Sequence, residues 1–364
     1  MRNTPALVLI AALAASPAPA EPLSAIDWLS EEVALPPGTP LARPRGPDGD
    51  IAAVEPAITT TPISGPRRDG AGLLPPRLSG LPGELWVGTP ATRLAELARQ
   101  TRTGGIAALS ALLERVLLAE LAPPALEAGA ADGAFLLARI DRLVAMGALD
   151  QAEALLERAG PGRPELFARW FDISLLTGRA SRACAAMRSA PALAPDLRAR
   201  IFCLARTGDW QGAALALEAA NAAGLIGDEA HARLARFLDP ALADGAADLP
   251  VPMAPDPLTF RVMEASGQPM ATTDLPLPFA HGDLRANAGW HAQLDAAERL
   301  ARTGALPAGR LMALYLRRAP PASGGVWDRA AAIRALDVAL VTGGPAEVAA
   351  ALPPSWQAMR AARL

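Results

Sequence analysis

The stretch "LARTGDWQGAALALEAA" spans Leu204–Ala220. Gly208 separates two apolar patterns of helical period, so the segment reads as one helix, a tight turn and the start of another. The same layout occurs twice upstream, in "GALDQAEALLERA" from Gly147 and in "GRASRACAAMRSA" from Gly178. Ala recurs five residues after each Gly, at Ala152, Ala183 and Ala213, and twelve residues after it, at Ala159, Ala190 and Ala220. The spacings between the Gly residues are 178 − 147 = 31 and 208 − 178 = 30. A near-constant period of this size marks stacked supersecondary units. Gly147, Gly178 and Gly208 are the expected elbows, each closing a helix in a left-handed cap. The small Ala that follows lets the second helix lie close to the first. Such a hairpin buries its apolar face only by stacking on a neighbour.

Composition supports this reading. Nearly a quarter of the 364 residues are Ala, only 4% are aromatic, and Ala and Leu lead the helix-propensity scale, so an all-α chain is expected. Every basic side chain is Arg. A net charge of −3 gives no basic face for a polyanion, so nucleic acid is not an expected partner.

The spacing of Gly, an aromatic or Leu, and Ala resembles the middle of the tetratricopeptide repeat, with Gly208-Asp209-Trp210 and Ala213 the best match. This resemblance covers roughly Ala134–Asp239, and it implies a solenoid of stacked helical hairpins. The stretches "DWLSEEV", "GLLPPRLSGLPGELWVGT", "RWFDISLLTG", "RIFCLARTGDW", "ARFLDP" and "ASGGVWDR" together resemble an Ala-rich exported family of alphaproteobacteria. Some members of that family carry antifreeze-type labels. Neither the regular Thr period of type I antifreeze helices nor Ala-Ala-Thr tandem repeats are present here.

The first residues read as an export signal. Arg2 precedes the apolar run "ALVLIAALAA", and Ala18-Pro19-Ala20 forms a small-x-small cleavage site. Residues 1–20 are therefore the expected signal peptide and the periplasm the expected location, with no stable membrane insertion after cleavage. Residues 21–34 form a short amphipathic segment in which Ile26, Leu29 and Val33 share a face. Residues 35–85 are dense in Pro and Gly and read as a linker. A helical repeat domain is expected over 86–242, opening with Thr89 as N-cap and Pro90 at the first helical position. It includes a stripe of Leu109, Leu112, Leu113, Val116, Leu117 and Leu121. A Pro-rich connector is expected over 243–283 and a C-terminal helical block over 284–364. "LARTGAL" at Leu300–Leu306 echoes the opening stretch, but Gly309 stands where the repeat has Ala.

Chemistry is sparse. Cys184 and Cys203 fall on adjoining helices of successive hairpins and are the candidate disulfide. His281, Asp283, His291 and Asp295 form a weak candidate metal set, with Asp295 one helical turn after His291. No cofactor is implied. The chain lacks G-x-S-x-G, H-E-x-x-H and any Lys for a P-loop. Glu114, Glu120, Glu153 and Glu157 read as solvated partners of nearby Arg. Trp170, Phe171, Trp210, Trp290 and Trp327 fit core packing better than a ligand-lining set. The expected function is a non-enzymatic scaffold that binds an envelope protein or peptide. The alternative is a peptidoglycan hydrolase, or an activator of one, with a site near His281–Glu298.

Overall fold

The computed structural model describes residues 67–103, 105–127 and 131–364. The expected signal peptide, the expected amphipathic segment 21–34 and the expected linker up to residue 66 lie outside the described residues. Residues Pro62–Leu364 belong to one compact unit. Among the described residues there are sixteen α-helices and no strand, only two isolated bridges at Leu74–Ala119 and Pro90–Ala125. No described helix is long and apolar enough to cross a membrane.

Seven helices carry the pattern of the opening stretch: α4 (Ala134–Ala145), α5 (Leu149–Ala159), α6 (Pro164–Leu176), α7 (Ala180–Ser189), α8 (Leu197–Arg206), α9 (Trp210–Ala222) and α10 (Asp228–Leu238). Each packs on the next, and α4 also meets α6 as α8 meets α10. The turns between α4 and α5, α6 and α7, and α8 and α9 share one geometry. Gly147, Gly178 and Gly208 have φ of 81°, 79° and 96°. The residue after each Gly donates its N–H to the carbonyl five residues back: Ala148 to Leu143, Arg179 to Ser174 and Asp209 to Leu204, at 2.8–3.0 Å. That bond satisfies a carbonyl the ending helix leaves open, and it needs a left-handed residue in which a Cβ is strained. Ala152, Ala183 and Ala213 are all completely buried. Asp side chains start three helices by accepting a backbone N–H: Asp196 from Ala199, Asp209 from Gly212, and Asp256 from Thr259 in α11 (Pro257–Ala265).

Part of the expected linker is folded. Residues 67–85 lie on the body and include α1 (Pro76–Ser79). Asp69 is fully buried and accepts N–H bonds from Gly133 at 3.2 Å and Leu136 at 2.7 Å, capping α4 from 64 residues away. Arg139, on α4, answers it. Its guanidinium donates to the carbonyls of Leu117 (2.6 Å), Ala71 (2.7 Å), Ala119 (2.9 Å) and Asp69 (3.3 Å). It also lies over the Trp86 ring at 4.9 Å. Burial pulls its pKa down to about 9, opposed by Asp69, so it stays charged at neutral pH. Pro density ruled out long helix here, but not a pinned coil.

Other expectations shift as well. In α2 (Ala91–Gln100) the N-cap is Pro90, one residue later than Thr89, with no side-chain cap. The Leu stripe splits. In α3 (Ala107–Leu118), Leu117 and Leu118 are buried while Leu109 and Leu112 face solvent, because the C-terminal turn carries the burial. The expected connector 243–283 contains α11, whose Leu258, Phe260 and Val262 join the first core and whose body packs on α10 and α6. Pro257 starts that helix at its first position instead of breaking it. The chain then runs back to α4 through the short 3-10 turn Leu277–Phe279.

The last helices are α12 (Ala280–Asp283), α13 (Trp290–Ala301), α14 (Ala308–Leu316), α15 (Val326–Thr342) and α16 (Pro345–Ala361). They surround a second core running from Ala280 to Ile333. Gly304 has the same left-handed turn, with φ of 82° and Ala305 donating to Leu300. There α14 begins at Ala308, four residues past the Gly instead of two. The packing position therefore moves to Leu311, and Gly309 is left exposed.

Gly147 and Gly208 have similar backbones but different surroundings. A Cβ on Gly147 would meet Leu300 Cδ2 at 2.7 Å, whereas one on Gly208 would meet nothing within 4 Å. Gly208→Ala is expected to cost about 1–2 kcal/mol from backbone strain alone. Gly147→Ala should cost a further ~1–3 kcal/mol from overpacking. Urea denaturation of the two variants checks the difference, and equal losses would show that the first elbow is not crowded.

Candidate functional site

The elbows differ in what covers them. At the first, His281 Nε2 lies 2.7 Å from the Gly147 carbonyl, Thr303 Oγ1 donates to the Met146 carbonyl at 3.2 Å, and Leu300 and Leu277 close over Gly147. At the second, the Arg285 stem would meet a Cβ on Gly178 at 3.1 Å. The third is uncovered, with Trp210 half-exposed and Leu215 72% exposed beside it. The second core thus docks on two elbows of three, and Trp210 departs from the core role expected of it. Trp170, Phe171 and Trp290 are buried.

A recess of about 150 Å³ opens along this seam, lined by Asp150, Thr177, Arg179, His281, Leu284, Arg285 and Arg310. Arg179 Nη2 donates to Asp150 Oδ1 at 3.1 Å and to Glu153. Arg310 lies 3.6 Å from the other Asp150 oxygen. Arg285 is held by the Gly282 carbonyl at 2.7 Å and Glu264 at 2.6 Å. Burial acts against the Arg179 charge, but Asp150 and Glu153 outweigh it and hold its pKa above the ordinary value. Glu153 is buried between Arg179 and Arg182 rather than solvated.

The four candidate metal residues do not converge. His281 is buried against Gly147, and Asp283 accepts a hydrogen bond from Thr272 at 2.5 Å. His291 Nδ1 pairs with Asp295 at 2.9 Å on an exposed face of α13, with its ring edge toward Trp327. No group of three or more His, Cys, Asp or Glu able to hold a metal occurs among the described residues.

Glu298, the far end of the alternative hydrolase site, is 1% exposed. Its Oε1 accepts from Tyr315 at 2.7 Å and Arg329 Nε at 2.6 Å, and its Oε2 from Arg329 Nη2 at 2.6 Å and Arg302 at 3.0 Å. Burial next to this carboxylate pushes the Tyr315 phenol well above its usual range. Two guanidinium groups and the Tyr315 hydroxyl thus converge on one carboxylate, which ties α13, α14 and α15 together. The only sequence signal for this cluster is that Tyr315 is the sole Tyr of the chain.

Cys184 on α7 and Cys203 on α8 form a disulfide with Cα atoms 4.9 Å apart. Such a bond fits an oxidising compartment. No protein-family model, curated protein or solved structure matches the chain.

Replacing both Cys184 and Cys203 by Ala is expected to lower the unfolding free energy by about 3 kcal/mol, in line with a loop of this length. Denaturant titration measures the loss, and alkylation of non-reduced protein should modify no thiol. His281 gives a second expectation. Burial lowers its pKa, so the folded chain takes up its proton less readily than the unfolded one. Its contribution is complete above the unfolded pKa of about 6.5 and is lost as pH falls toward the folded value. The melting temperature should fall on going from neutral to mildly acidic pH, and less so in His281→Gln. Parallel pH profiles would exclude His281 as the source.

Proposed function

We propose that the chain is a non-enzymatic helical-repeat protein of the bacterial periplasm, exported by residues 1–20. Its hairpins stack as a tetratricopeptide-like solenoid that binds a protein or peptide of the cell envelope. The observation that carries this reading is the recurrence of one turn geometry at Gly147, Gly178 and Gly208, each followed by a buried Ala five residues on. Units of this kind expose a continuous face built from many helices, which suits recognition of a partner rather than chemistry. The disulfide adds support for an exported location. The disposition of His281, His291 and Glu298 supports the non-catalytic side of the reading, since each is engaged by a neighbour of its own.

Affinity capture of the tagged chain from periplasm, after cross-linking in cells, should enrich a defined envelope protein over an unrelated exported control. A peptidoglycan zymogram of the same preparation should show no clearing. Clearing that His291→Ala abolishes would overturn the proposal in favour of a hydrolase, and capture no better than the control would remove the scaffold role.

A further inference from the structure

The geometry points to the seam recess as a binding site for a small phosphate-class dianion, either free phosphate or the phosphate of a small phosphomonoester. This goes beyond partner binding and does not depend on it. Three guanidinium groups line the recess against a single carboxylate, Asp150, while Glu153 and Glu264, outside the lining, pair with Arg179 and Arg285. His281 adds no charge at neutral pH, since burial lowers its pKa.

The arginines are anchored but not saturated. Arg285 Nε and Nη2 are engaged by Gly282 and Glu264, which fix its fork and leave Nη1 without a hydrogen bond. Arg179 spends Nη2 on Asp150 and Glu153, which hold it at the recess wall. Among the described residues the Arg310 side chain makes no hydrogen bond, only the 3.6 Å approach to Asp150. Free donors on the Arg285 and Arg310 forks match the acceptor oxygens of a tetrahedral dianion, and guanidinium is the side chain best shaped for them. The recess, about 150 Å³, far exceeds the ~10–15 Å³ that a single water needs.

Three helix starts reinforce the charge. Asp150 lies in the first turn of α5, Arg179 immediately precedes α7, and Arg310 lies in the first turn of α14. The open N–H ends of helices favour negative charge. Asp150, an exposed carboxylate, already bridges Arg179 and Arg310 at this edge.

Isothermal titration calorimetry on the purified full chain, at low ionic strength and neutral pH, tests the site with sodium phosphate, glycerol phosphate and chloride at matched ionic strength. Saturable heat is expected with phosphate or the ester and not with chloride. Arg310→Gln should weaken binding about tenfold or more. It leaves a half-exposed side chain with no hydrogen bond, so its circular dichroism and melting temperature should match the parent. Tighter binding of inorganic phosphate would identify the free ion, and tighter binding of the ester a phosphate carried on an organic group. Absence of saturable heat with both ligands would overturn the inference, and so would binding that Arg310→Gln and Arg285→Gln leave unchanged.

Discussion

Gly147 stands where the two cores of this molecule meet, and the fold depends on its having no side chain. Its φ of 81° closes α4 and turns the chain into α5. On its outer side Leu300 and Leu277 fill the space a Cβ would need, and its carbonyl is held by His281 from 134 residues away. One residue therefore serves a local turn and a long-range joint. A Gly at a turn usually reports only backbone conformation. Here the close approach of a second block adds an independent steric demand.

An Ala-rich chain has a particular difficulty in joining its parts. Each buried Ala removes little apolar area from water, so helices approach closely but adhere weakly. Arginine supplies much of the missing specificity. Arg139 gathers four carbonyls from the coil before α1 and the end of α3. Arg299 holds the carbonyls of Thr272 and Leu275, Arg302 that of Ala362, and Arg67 that of Pro124. A guanidinium can do this because it directs five donors in a rigid fork, whereas an ammonium is a point charge on a flexible stem. The absence of Lys, which taken alone suggests only codon bias, thus has a consequence in how loops are tied to helices.

The elbows were legible in the sequence because a left-handed cap and a close helix contact demand particular residues, Gly and Ala, at a fixed separation. The disulfide was legible because Cys184 and Cys203 fall on helices adjacent in the chain, and α7 does pack on α8. What was not legible depends on contacts between distant residues. Nothing local marks Asp69 as the cap of α4, since the N–H groups it accepts lie 64 and 67 residues away. The Pro-rich stretch around α11 reads as connector because Pro counts against helix wherever it occurs, although Pro257 occupies the one position that tolerates it. His281 and Asp283 looked like ligands because they are close in sequence. In space one serves the first elbow and the other Thr272.

The elbow repeat also accounts for where the recess lies. Asp150 at the start of α5 and Arg179 just before α7 both line the recess, so both helices begin beside the seam. Their unpaired N–H groups need negative partners or water. The second block docks on this edge, where Asp150, Arg179 and Arg310 keep part of their surface in water. Asp150 answers Arg179 and Arg310, and Arg285, which arrives with the second block, is paired with Glu264. The arginine-lined recess at the joint between the two cores thus lies where the second block covers the elbows at Gly147 and Gly178.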